Sequence, residues 1–424
     1  MEQTPKQNKR WIWIGILLVI GIAGFLVISN WAAIGTSLAN PMRKLLGVER
    51  VAQLESALFN AQDNVKQWQY RLGMAEPESP WGASNNPAIP SPTNPDGPAT
   101  SPQPAISPSA NPLPSATQPL SSDQAASTPA GPLPTATLVP SPTPASWTLP
   151  NLEPFADSPG EGIWQPYINT PDGEVVALRT FLQPDPERPY ALVAVVAFDL
   201  TKTRLHYVLG LKEPARPGGP HGWGVIPNED KQPGKLLAAF NGGFIAEHGY
   251  YGAMADGVTS LAGKAGLATL GIYKDGTVRI GEWGKDLSLG EDFAAWRQNA
   301  LLIIDDGQIN PKVHTGTYIE WGANLDGAIV TLRSALGISK DNQVLYYFAG
   351  PSLSMPVLAD AMARAGVHNG LLMDINPTHA HFTAMRDVNG ELVAESLYEQ
   401  VMDLWIDRYL GVWDQDFFYV TGKE

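Results

Sequence analysis

The sequence predicts an α+β fold of mixed or antiparallel sheets with a few packed helices. It is preceded by one transmembrane helix, a short coiled-coil-like helix and a disordered Pro-rich stalk. Three observations carry this reading. The C-terminal part repeats short apolar runs separated by Asp-Gly and similar turn signals. The N-terminal part holds an uncharged apolar run long enough to cross a bilayer. Between them lies a tract made largely of Pro, Ser, Thr and Ala.

Bulk composition narrows the function classes. A net charge of −14 over 424 residues gives no means of neutralising phosphates, which argues against a nucleic-acid partner. There is no cysteine, so disulfides, thiolate metal sites and cysteine nucleophiles are all excluded. An exported domain of this kind is held together by its core.

Residues 1–10 form a short basic tail with Lys6, Lys9 and Arg10. Residues 11–34 read as the membrane helix, because about 20 apolar residues cross a hydrocarbon core of roughly 30 Å. Trp11, Trp13 and Trp31 fall near its two ends, where amphipathic rings favour the headgroup level. No small-x-small cleavage site follows, which separates the segment from a signal peptide. Basic residues also follow it at Arg43, Lys44 and Arg50, but none occurs between Arg71 and Arg179. A long stretch free of positive charge is readily translocated, so the N-terminus is read as cytoplasmic and the remainder as extracytoplasmic.

Residues 43–74 read as an amphipathic helix. Val51, Leu54, Leu58, Ala61, Val65, Trp68 and Leu72 follow alternating steps of three and four, which places them on one seam. Either the seam of residues 51–72 pairs two copies as a homodimer, or the helix lies alone on the membrane or another part of the chain. Residues 77–146 bury too little apolar surface to offset the entropy of ordering. Proline stiffens such a segment toward polyproline II at about 3 Å per residue, so it reads as a spacer of up to about 200 Å.

Residues 160–424 are the globular domain. "YALVAVVAFDL" is a buried strand and "TRLHYVLGL" a partly exposed one, and the short link Thr201-Lys202 predicts a hairpin between them. "KLLAAFNGGF" is an apolar strand running into Asn241-Gly242-Gly243. "ATLGIYKDGTVRIGEW" is a hairpin turning at Asp275-Gly276, "NALLIIDDGQI" turns at Asp306-Gly307, and "RSALGISKDNQVLYYFAG" is a third hairpin. "MPVLADAMARAGV" is an amphipathic helix ending near Gly366, followed by the strand in "NGLLMDINP".

Several positions in this frame carry chemistry. Asn241, Gly242 and Gly243 put a side-chain amide and two small residues at a strand end, suited either to close approach of a ligand or to a tight turn with positive φ. Arg333 and Ser334 open a strand, where an arginine can fork onto a phosphate or carboxylate or bond a nearby carboxylate. Asp374 follows an apolar run, with Asn376, His379 and His381 close behind. A carboxylate beside imidazoles serves acid–base work or binds a divalent metal, and equally caps a turn. Asp305 and Asp306 are adjacent and turn-forming, not a paired-carboxylate site.

The ordered series "AAFNGGF", "LGIYKDG", "NALLIIDDGQI", "LRSALGISKDNQVLYY" and "MPVLADAMARAGVHNGLLMDIN" resembles the phosphodiester glycosidase family. Its lysosomal member removes N-acetylglucosamine from a sugar phosphodiester. The resemblance spans roughly residues 191–386. It implies an active site lined by Asn241, Gly242, Gly243, Arg333 and Asp374, with no cofactor. The chain departs from the family after Asp374. Members there carry glycines followed by Ser or Thr, whereas this sequence has Ile375-Asn376-Pro377-Thr378. A proline offers no N–H to a phosphate cradle.

Three functions follow as expectations. The first is hydrolysis of a sugar phosphodiester or envelope glycoconjugate, with Asp374 as acid–base, Arg333 holding the anion and Asn241 orienting the substrate. Ser334, Asn376, His379 and His381 would add binding contacts. The second is a carbohydrate-binding module on the same fold. The third, a metal-dependent hydrolase, requires Asp374, His379 and His381 to converge on one point.

Overall fold

The computed structural model describes residues 61, 63–74, 80–81, 147–316, 321, 330–375, 379–402 and 405–423. The expected tail, membrane helix, most of the stalk and Asn376 lie outside these residues. Among the described residues, no helix is long and apolar enough to cross a membrane.

Among the described residues three sheets make up the domain, and every strand pairing in them is antiparallel. The largest runs β1 (Gln165–Asn169), β2 (Val175–Leu182), β3 (Val193–Asp199), then β14 (Val344–Leu353) and β13 (Thr331–Ile338). It continues through β15 (Asn369–Leu372), β11 (Leu302–Asp305) and β12 (Gln308–Ile309). A second sheet runs β17 (Glu391–Ser396), β16 (Phe382–Val388), β5 (Leu236–Asn241), β18 (Phe417–Gly422) and β4 (Thr203–Val208). The third runs β7 (Val258–Leu261), β6 (Ala253–Ala255), β10 (Phe293–Gln298), β8 (Ala268–Tyr273) and β9 (Val278–Glu282).

The large sheet is covered on both faces, which is why β2, β3 and β13 are buried along their whole length. One face, with Phe198, Leu336 and Tyr347, meets the second and third sheets in a shared core. The other face, with Val195, Ala335 and Phe348, packs against the helix Met355–Arg364. Ser354 caps that helix through the Val357 N–H, and Gly366 ends it at φ +79. The hairpins at Asp275-Gly276, Asp306-Gly307 and Asn342 form as expected.

One expected hairpin does not form. Thr201-Lys202 joins β3 to β4, but β3 pairs with β2 and β14 while β4 pairs with β18 in another sheet. A short link fixes how close two strand ends are, not whether the strands pair. Here the Asp199 carboxylate accepts from the Thr201 N–H (2.9 Å) and hydroxyl (2.6 Å), folding the link into a corner.

Residues 63–71 are helical and lie on the body of the domain. Buried Asp63 accepts from Arg188 Nε and Nη2 and from the Tyr190 hydroxyl at 2.8–3.0 Å. Lys66 Nζ reaches Ser352 Oγ at 3.3 Å, and the Tyr70 and Tyr190 rings meet at 5.9 Å. Trp81 is buried under the Arg179 guanidinium, 4.5 Å from its ring centroid. The described residues 63–74 and 80–81 thus pack on the globular domain.

Candidate active site

The expected site residues Asn241, Ser334 and Asp374 meet where the second sheet packs on the large one. Asn241 is the last residue of β5, just beyond Phe240, whose ring stacks on Phe382 and tilts against Tyr347. At this depth a side-chain amide must be fully bonded. Its Nδ2 donates to Ser334 Oγ (3.0 Å) and the Gly242 carbonyl (2.9 Å). Its Oδ1 accepts from the Tyr347 hydroxyl (3.0 Å) and the His381 N–H (3.1 Å). Two donors and two acceptor positions are the whole capacity of an asparagine amide. Asn241 thus clamps the sheets and holds no free position for a substrate.

Asp374 is aimed by a bulge at the end of β15. The Met373 N–H donates to the Ser334 carbonyl (2.8 Å), yet the Ser334 N–H (3.3 Å) and hydroxyl (2.8 Å) both reach the Asp374 carbonyl. Two residues face one, which turns the strand and re-aims the side chain. The carboxylate lies close enough to Arg297, Tyr347 and Tyr409 to act on their ionisation. Its Oδ2 is 3.5 Å from His379 Nδ1. The carboxylate is buried, with its side chain 6% exposed, whereas the imidazole is 23% exposed and lies beside the Gln415 amide.

Residues 234–374 match the model of the phosphodiester glycosidase family. That stretch is similar to a phosphodiester glycosidase domain. Similar solved structures include the catalytic domain of zebrafish N-acetylglucosamine-1-phosphodiester alpha-N-acetylglucosaminidase, auto-inhibited by its pro-peptide. It shares 15% identity over 60% of this chain and 90% of that one, with a TM-score of 0.37. A hypothetical protein from Synechocystis shares 10% identity over 61% and 64% of the two chains, with a TM-score of 0.31. A putative exported protein from Burkholderia pseudomallei shares 10% over 54% and 74%, with a TM-score of 0.23. No curated protein matches the chain in sequence.

Within the matched stretch the two glycines serve a buried ion pair. Neither Gly242 nor Gly243 has positive φ, so a tight turn is not their reason. A Cβ on Gly242 would lie 2.1 Å from Asp416 Oδ2, and one on Gly243 would lie 2.8 Å from Arg297 Nη2. Asp416 Oδ2 accepts from Arg297 Nε (2.8 Å), the Tyr207 hydroxyl (2.9 Å) and the Gly243 N–H (3.2 Å). Arg297 donates onward to the Phe244 and Gln298 carbonyls at 2.6 Å. Burial disfavours the Arg297 charge, but the Asp416 carboxylate outweighs it and holds the guanidinium above its ordinary pKa. Sequence reading passed over Arg297, Asp416 and Tyr207. The one available signal was a lone arginine inside the apolar run "FAAWRQNALLII".

Arg333 lies beside Ser334 on β13 but, by strand alternation, faces the other way. It is 1% exposed and its Nε donates to the Leu353 carbonyl at 2.8 Å. His381 is also turned inward. Its Nε2 meets the Met402 carbonyl at 2.6 Å and its Nδ1 the Thr383 hydroxyl at 3.2 Å. Burial, with the Arg408 charge behind it, lowers its pKa to about 3, so the ring is neutral at ordinary pH. With both ring nitrogens engaged, His381 does not converge with Asp374 and His379 as a metal site would require. No group of three His, Asp or Glu able to hold a metal occurs among the described residues.

A groove of about 410 Å³ lies elsewhere, along β4, with Arg204, His206, Trp223, Asp256 and Tyr273 in its walls. None of the expected site residues lines it. Chemistry points to Asp374 and His379, and size to the groove. The acid–base pair is the better guide, because it sets a more exposed imidazole against a buried carboxylate, whereas His206 of the groove is stacked on Tyr419 and bonded to the Thr421 hydroxyl.

Proposed function

We propose that this protein is a membrane-anchored extracytoplasmic hydrolase of a sugar phosphodiester or envelope glycoconjugate. The observation that carries the reading is the Asp374–His379 pair at 3.5 Å, at the end of the matched family segment. In this reading the more exposed imidazole moves the proton, and the buried carboxylate orients the ring and balances its charge. Water adds to the anomeric carbon as the glycosidic C–O bond breaks. The electron pair leaves on the phosphate oxygen, and the water's proton passes to His379. Asn241 acts as a positioning residue, since its amide is consumed in joining β5, β13 and β14.

A second reading, a glycan-binding module without turnover, is favoured by one observation. Asn241, Arg333, Ser334 and Asp374 are all buried. The full chain in detergent, given N-acetylglucosamine 1-phospho-methylmannoside, separates the two. Hydrolysis should fall about 100-fold or more in His379→Asn and Asp374→Asn, the usual range for removing an acid–base group. It should survive a chelator. Absence of turnover by the folded chain on a panel of such diesters, with saturable glycan binding by calorimetry, would replace hydrolysis with the binding reading.

A further inference from the structure

The helix at residues 63–71 packs in an unusual sense, with its polar side on the protein and its apolar side outward. In heptad lettering with Val51 at a, the docked residues Asp63 and Tyr70 fall at f, and Lys66 at b. These positions lie opposite the a/d seam. Along that seam Val65 is 36% exposed, Trp68 63% and Leu72 53%. A helix that only needed a place to rest would bury these three and leave Asp63 in water.

We propose that this seam pairs with the same seam of a second copy of this chain, forming a parallel two-helix coiled coil with one catalytic domain carried on the outer flank of each helix. The apolar positions keep strict three-four steps from Val51 to Leu72, a narrow stripe that suits a partner helix. A helix lying on lipid presents a broader apolar face. The flanking positions agree with a parallel pair. Arg50 falls at g and Glu55 at the following e, the positions that meet between parallel partners, and Asn64 faces Gln69 in the same way. The remaining pair, Ala57 with Gln62, is uncharged, so register is favoured without a repulsive pair. Because the helix at residues 63–71 is bonded to Arg188, Tyr190 and Ser352 of the globular domain, the two domains are held side by side along the coiled coil.

The chain has no cysteine, so single-cysteine variants of the full chain report this geometry directly. In detergent micelles under mild oxidation, Trp68→Cys and Leu72→Cys should give disulfide-linked dimers. Gln67→Cys, on the docked side, and Leu289→Cys, exposed on the loop between β9 and β10, should not. Adding Val65→Asp to Leu72→Cys should abolish the link and halve the detergent-corrected mass. Because Val65 is partly exposed, the melting temperature should stay unchanged. A chain that is monomeric, or that links no better through Leu72→Cys than through Leu289→Cys, overturns the proposal. So does quenching of a bimane on Leu72→Cys by brominated lipid, which would place the seam in the bilayer.

Discussion

Replacing Asp416 by asparagine keeps the size of the side chain and removes its charge. An amide oxygen in the place of Oδ2 can still accept from Tyr207 and the Gly243 N–H, so shape and two hydrogen bonds survive. What is lost is the counter-charge to Arg297, whose side chain and that of Asp416 are each 1% exposed. Breaking a buried pair by removing one partner costs about 3–5 kcal/mol, because the remaining charge is stranded in the core. For a unit of this size about 2–4 °C of melting temperature corresponds to each kcal/mol, so a drop of about 6–20 °C is expected. The matched control is Asp414→Asn. Its partner Lys212 is 2.6 Å away, but the two side chains are 51% and 69% exposed. Exposed pairs contribute about 0–1 kcal/mol, so that variant should shift by under about 4 °C. Differential scanning fluorimetry of the full chain in detergent compares the two. Equal shifts, or a shift below about 2 °C for Asp416→Asn, would refute the argument that Arg297 depends on this carboxylate.

Gly242→Ala should melt at least as early as Asp416→Asn, since its Cβ sits on the same carboxylate, and overpacking adds about 1–3 kcal/mol. A variant that melts like wild type would show that the glycine is not required by the ion pair. Asn241→Ala strips four hydrogen bonds from the sheet junction and should lose about 2–4 kcal/mol, with kcat falling further than KM changes. A rise in KM with kcat unchanged would return Asn241 to substrate contact. Burial also sets an acid dependence. Folded His381 titrates near pH 3 and His206 near pH 4, both below the ordinary value of 6.5. Their contribution is complete above about pH 6.5 and is lost as pH falls toward those values, because the unfolded chain takes up the proton first. His206→Phe keeps the stacking on Tyr419, so its melting temperature should decline less than wild type between pH 6.5 and 4; parallel curves would remove His206 from the account. Asp63→Ala should free the helix at residues 63–71 and raise hydrogen exchange there, measured by mass spectrometry, with little change in β13.

Local pattern was legible wherever a residue's role depends on its neighbours in sequence. The turns at Asp275-Gly276 and Asp306-Gly307, the Ser354-capped helix and the apolar runs of β3, β13 and β14 follow from turn chemistry and periodicity. The family resemblance set Asn241, Arg333 and Asp374 in one site; Asn241 and Asp374 meet through Ser334, while Arg333 turns to the Leu353 carbonyl. Pairing between distant strands was not legible. Thr201-Lys202 looks like a hairpin link because sequence reports only its length, while the partners of β3 and β4 lie over a hundred residues away at β14 and β18.

What the sequence determined by itself is the alphabet of elements, the absence of any thiol chemistry and the apolar seam from Val51 to Leu72. Tertiary structure decided what those elements face. Gly242 and Gly243 are small for the sake of Arg297 and Asp416, which reach them from other strands. Arg333 and Ser334 share a strand and part company across it. The helix at 63–71 turns its polar side to the protein because Arg188 and Tyr190 wait there for Asp63. The physical reason is common to all three: a side chain's free energy is set by what packs against it, and those neighbours come from far along the chain.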